Sequence, residues 1–142
     1  LMTARDAIIA RLLADPAVAS AVADRITPHW APQGVEPPYI VVSQISATRP
    51  HHMGGPSGLV EARVQVDVFA EARAACEALA SDVRRALDGY RGAVSAGAST
   101  LILQQCHLDN ELYELESWDE YAEAPALARV TQDYLIAHHE SV

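Results

Sequence analysis

The sequence predicts an α+β domain: a mainly antiparallel sheet of about four strands with helices packed on one face, in the order α(α)-β-β-α-β-β. Three observations predict it. From Leu59 to Phe69 the chain alternates, with Val60, Ala62, Val64, Val66 and Val68 on one face and Glu61, Arg63, Gln65 and Asp67 on the other, the pattern of a half-buried strand. Directly after it, Ala72, Ala75, Cys76, Leu79, Ala80, Val83 and Leu87 recur at three- and four-residue steps, the stripe of an amphipathic helix from Glu71 to Leu87. Three further β-patterned stretches, Tyr39 to Ala47, Thr100 to Tyr113 and Leu127 to His138, are separated mostly by hairpin-like loops.

Taken in order, Thr3 or Asp6 caps a first helix whose stripe is Ala7, Ile8, Leu12 and Leu13. Asp15-Pro16 ends it, because the residue before a proline is pushed out of the helical region and proline suits the first turn of a new helix. A short second helix follows from Ala17 to Ala23, then a short edge strand from Ile26 to Trp30 interrupted by Pro28. Gln33 to Pro38 is a turn-rich connector, and Tyr39 to Ala47 is a β-branched strand. Thr48 to Ser57, with Gly54, Gly55 and two prolines, reads as a long hairpin loop. At the end of the central helix Arg84 and Arg85 suit the negative end of the dipole, and Gly89 is placed to terminate it. Arg91 to Ser99 is small and polar and reads as a flexible connector. Ile102, Cys106, Leu108 and Leu112 are the apolar positions of the next strand, Glu114 to Pro125 an acidic loop, and Val130, Tyr134 and Ile136 one face of the last strand.

With 142 residues, half of them apolar, the chain is expected to form one domain, residues 1–142, with a core that needs no staples. No run approaches the length of a membrane span and no signal peptide opens the chain, so no membrane is expected and synthesis in the cytoplasm is the default. Cys76 and Cys106 lack CxxC spacing and read as small buried hydrophobes. The net charge is −9, and all ten basic residues are arginines without a cluster, which argues against a grip on a phosphate backbone.

Sites of chemistry are not indicated. His51-His52 and His138-His139 are adjacent pairs, and neighbours on an extended backbone point to opposite faces, so they read as solvated residues and no metal is expected. Gly54 to Gly58 lacks the Gly-Lys-Ser/Thr ending of a phosphate loop and precedes a strand, so no nucleotide or other cofactor is expected. Ser, His and Asp are scattered without a catalytic pattern, and no enzyme is expected. One charge feature stands out. Between Arg91 and Arg129 there is no Lys or Arg, while Asp109, Glu111, Glu114, Glu116, Asp119, Glu120 and Glu123 occur there with Tyr113, Trp118 and Tyr121 among them. Acid with aromatics reads either as a solvated loop, as a contact surface for an arginine-bearing partner, or as a surface that repels nucleic acid.

A series of short stretches resembles a known family when taken together in order: Ala14 to Val18, Asp24-Arg25-Ile26 and Pro28, Ala31 to Gly34, Pro38 to Val42, Pro50 to Leu59, Arg63 to Ala70, and Val83 to Gly92. They resemble the small tail-completion proteins of long-tailed bacteriophages, prophages and gene transfer agents, which are similar to tail terminators. The resemblance runs from about Ala10 to His138. It implies a structural virion protein, made in the bacterial cytoplasm and then carried in the tail. It further implies a homo-oligomeric ring, a hexamer, that caps the tail tube and joins it to the head-side connector or stopper, with DNA passing through unbound. On that reading Arg49, His51, His52 and Met53 in one loop and Glu114, Glu116, Trp118, Asp119, Glu120 and Tyr121 in the other are candidate interface residues. Glu61 and Asp67, on the polar strand face, are candidates to line the channel. The alternative is a small ligand-binding or enzymatic α+β domain with a pocket between sheet and helix.

Overall fold

The computed structural model describes residues 2–116 and 127–140. Three helices, α1 (Ala4–Ala14), α2 (Pro16–Val22) and α3 (Arg73–Leu87), accompany strands β1 (Ile26–Pro28), β2 (Tyr39–Thr48), β3 (His51–His52), β4 (Gly55–Pro56), β5 (Leu59–Ala70), β6 (Gly92–Ala96), β7 (Ser99–Glu116) and β8 (Leu127–His139). The class is α+β as expected, but the main sheet holds six strands rather than four, in the order β1-β2-β5-β8-β7-β6. Every ladder in it is antiparallel except β1 with β2, which is parallel, so the sheet is mixed.

The helix starts follow local chemistry. Thr3 and Asp6 both act at the first: the Thr3 hydroxyl accepts from the Asp6 amide, and the Asp6 carboxylate accepts from the Thr3 amide, a capping box. Asp15 ends α1 and caps α2, its carboxylate accepting from the amides of Ala17 and Val18 at 3.1 Å. After α3, Gly89 adopts φ +82°, a conformation costly for any residue with a side chain, and its amide reaches the Cys106 carbonyl.

The core lies between the helices and one face of the sheet. Val64, Val66 and Val68 of β5 and Cys76, Leu79 and Val83 of α3 are buried there with Ile8 and Leu12 of α1. The alternation of β5 and the stripe of α3 therefore fold onto each other as their periods require. Cys76 and Cys106 are both buried free thiols.

Three expectations are corrected. The stretch read as a flexible connector from Arg91 to Ser99 contains β6, which forms a hairpin with β7 from Gly92↔Leu103 to Ala96↔Ser99. The loop from Thr48 to Ser57 carries its own ribbon, with His51 opposite Pro56 and His52 opposite Gly55. In β7 the apolar positions do not share a face: Cys106 is buried and Leu108 half-buried against the core, whereas Ile102 and Leu112 are exposed. Bulges between Leu103 and Gln105 and between Leu108 and Asn110 each insert a residue and reverse the phase of the strand. The residues placed opposite the buried face of β8 are consequently Leu103, Cys106, Leu108, Glu111, Tyr113 and Leu115.

Candidate functional site

The first candidate surface is the ribbon loop after β2. Its tip exposes His51, His52 and Met53, the His52 ring accepting from the Gly54 amide at 3.0 Å, while its base is tied: the Ser57 hydroxyl donates to the Pro50 carbonyl at 2.7 Å and the Ser57 amide donates to it at 3.2 Å. Arg49 donates to Glu140 at 2.8 Å, clamping the ribbon to the residue after β8. That hydrogen bond and the guanidinium charge hold the Glu140 carboxyl below the usual glutamate range. Arg49 is thus committed within the chain, and His51, His52 and Met53 are the side chains the ribbon presents. His138 departs from its expectation of a solvated residue: it ends the buried face of β8, opposite Val60 and Leu103.

The second is the outer face of the sheet, opposite the helices. Glu61 is exposed there. Asp67 is not; although the alternation places it on the polar face, it is only 4% exposed. Its Oδ1 accepts from Arg129 Nε at 3.2 Å, Arg129 Nη2 at 3.1 Å and the Thr131 hydroxyl at 2.7 Å, and its Oδ2 accepts from Gln65 at 2.9 Å. A carboxylate so enclosed and neutralised offers little free charge to a channel, which corrects the expectation for Asp67. Its guanidinium partner also lies over the Phe69 ring, which stacks on Tyr39 with centroids 4.7 Å apart. Further along, Arg63 bridges Asp109 at 3.1 Å and approaches Asp133 at 3.7 Å.

The third is the acidic end of β7. Glu114 is exposed, with an oxygen 3.9 Å from Arg129, and Glu116 closes the strand opposite Leu127. Trp118, Asp119, Glu120, Tyr121 and Glu123 lie outside the described residues. Of the neighbouring acids, Glu111 turns inward. It accepts from Gln132 at 2.6 Å, lies 3.5 Å from Arg84 and accepts from the Tyr113 hydroxyl. Gln132, wholly buried, also donates to the Ala80 carbonyl and accepts from the Tyr134 hydroxyl at 2.7 Å. This network stitches α3 to β7 and β8. Sequence reasoning missed it, and an apolar strand face interrupted by Gln132 is the one signal that could have indicated it.

A cleft of about 320 Å³ lies between α3 and the ends of β7 and β8, with Arg73, Glu77, Tyr113, Glu114 and Arg129 at its walls. At its floor Cys76 is buried and points at backbone carbonyls of Val68 and Ala128. Burial raises its thiol above the ordinary range and pushes Cys106 up to about 12, so both stay protonated at neutral pH and neither is an activated nucleophile. Burial likewise holds the Tyr134 hydroxyl in its protonated form. Arg73 is paired with Glu77 at 3.1 Å. The cleft assembles ion pairs and an inert thiol, and these do not compose a catalytic set.

Comparisons with known proteins agree with the geometry. No curated protein matches the sequence. The fold is similar to that of a chain in a structure described as the virion of a native gene transfer agent particle, with a TM-score of 0.73 and 16% identity over 96% of this chain and 95% of that one. The family model described as tail completion protein gp17 matches residues 6–138. A match of that extent makes this chain a member of the tail completion protein gp17 family, a family of structural proteins rather than enzymes.

Proposed function

We propose that the protein is the subunit of a homo-oligomeric ring, a hexamer, that closes the tail tube and joins it to the head-side connector or stopper, leaving a path for DNA. The observation that carries this reading beyond family membership is the charge distribution. The chain has net charge −9 and no Lys or Arg between Arg91 and Arg129. The arginines near its acids are largely engaged, Arg49 with Glu140, Arg63 with Asp109 and Arg129 with Asp67. A ring on the DNA path works best when polyanionic DNA does not adhere to it, and acidic surface of one sign serves that purpose. In this reading the acids from Glu114 to Glu123 face either the channel or arginines of the adjoining ring, and the ribbon tip of His51, His52 and Met53 contacts a neighbouring tail protein.

Exposed ion pairs contribute only about 0–1 kcal/mol each, so single charge removals at the loop should leave assembly intact. Replacing Glu114, Glu116, Asp119 and Glu120 together by arginine should do more. Particles carrying that variant should either fail to join heads to tails or retain DNA after ejection is triggered, scored by electron microscopy and by nuclease-protected DNA. Normal joining and delivery would overturn the assignment of these acids.

A further inference from the structure

Resting on the ring reading above, we infer that neighbouring subunits join edge to edge, the open edge of β7 in one copy pairing with the open edge of β2 in the next. β2 and β7 are each second from an edge of the main sheet, and the short strands β1 and β6 cover them for only part of their length. β1 pairs with Ile40 to Val42 of β2, and the His29 amide donates to the Val42 carbonyl. At the other edge β6 pairs with β7 from Ser99 to Leu103, and the Gly89 amide and Asp88 carboxylate engage the backbone of Cys106 and Leu108. Beyond these contacts, among the described residues, the Ser43–Thr48 backbone is laddered only to β5, with a bulge at Ile45, and the Asn110–Glu116 backbone only to β8. A row of unpaired backbone donors and acceptors is a template for another strand.

Polarity, charge and apolar surface choose the partner. β2, β5, β8 and β7 run alternately antiparallel, so β2 and β7 point in opposite directions, and β7 of one copy meets β2 of a copy stepped along the sheet as a further antiparallel ladder. Pairing β7 with a second β7 would bring the exposed Glu114 of two copies to one seam, and like charges set opposite each other are destabilising. The Ser43–Thr48 stretch carries no acid, so an acidic strand meets no like charge there. Each edge also shows apolar side chains to solvent, Ile45 at 52% exposure on β2 and Leu112 and Tyr113 at 49% and 56% on β7.

The two open stretches lie at opposite ends of the sheet: Asn110–Glu116 is opposite Leu127–Asp133 of β8, whereas Ser43–Thr48 is level, through β5, with Asp133–Ala137. Joining them shifts each copy by about five residues, roughly 17 Å, for every four strands, roughly 19 Å, of travel around the ring. That slope of about 40° falls within the range of strand tilts that closed sheets adopt. The contact is head-to-tail, the kind that continues from copy to copy rather than stopping at a dimer, and that closes into a ring when the rotation between copies allows.

Disulfide trapping tests this in the full chain. The variant carrying Ser46→Cys and Leu112→Cys, with Ile45→Cys and Tyr113→Cys as a second pair, should form a ladder of covalent oligomers on mild oxidation that survives heating in denaturant and is reversed by reductant. Each single substitution should give none. Circular dichroism matching the parent confirms that these surface changes leave the fold intact. Rings seen by negative stain without cross-links in either pair would overturn the edge assignment while leaving the ring. Cross-linked dimers from a single variant would overturn it in favour of like-with-like pairing. Monomers alone, under every condition tried, would overturn the ring and the edge assignment together.

Discussion

Asp67 shows how far a residue can be read from its position in the chain. The alternation of β5 places it on the polar face, and that placement holds. What encloses it is Arg129 and Thr131, more than sixty residues away in sequence, and no local pattern announces that they lie beside it. The same holds for Gln132 and Glu111, whose pairing depends on β7 and β8 lying side by side. By contrast Thr3 and Asp6 were legible as caps, because their partners are within a few residues, whereas Asp15 was legible only as the break before Pro16 and its capping of α2 was not. Asp67 gathers donors from Gln65, Arg129 and Thr131, and a hydrogen bond to a charged group contributes about 1.5–3 kcal/mol. Asp67→Ala should therefore lower stability by about 2 kcal/mol or more, a fall in melting temperature of roughly 5 °C, with Asp67→Asn intermediate because it still accepts from Thr131. A melting temperature unchanged in Asp67→Ala would show that the network contributes nothing to folding.

At the scale of elements, β5 and α3 were legible because each keeps one period throughout and they follow each other almost without a linker. β7 was legible as a strand but not in its facing, since two bulges reverse its phase and expose Ile102 and Leu112. β6 was missed for a different reason. Its composition, Gly92 to Ala96, carries little strand propensity, and it is a strand because β7 offers it an edge and because α1 packs against it. The β3–β4 ribbon is shorter than any hydrophobic period can signal. The dominant element remains α3 on β5. Leu79 is buried beneath that helix, and truncating a buried leucine costs about 2–5 kcal/mol, so Leu79→Ala should sharply lower the midpoint of thermal or urea unfolding. A shift of a degree or less would mean that the core is centred elsewhere.

At the scale of the whole molecule, the features that matter most lie on the outside: an exposed ribbon tip, an acidic strand end and two half-covered sheet edges at opposite corners. The order of several short structural stretches pointed to the family before the fold was known, whereas the open edges became visible only once strand order and register were in hand. Ring assembly is the claim on which the reading of all these surfaces depends. Light scattering on the purified protein, across a range of concentrations and with tail tubes added, measures it directly, with negative stain to give the shape. A closed ring of six times the 15.3 kDa subunit mass, in solution or on the tube end, is the expected result. A particle that stays at 15.3 kDa throughout and adds no ring to the tube would contradict it.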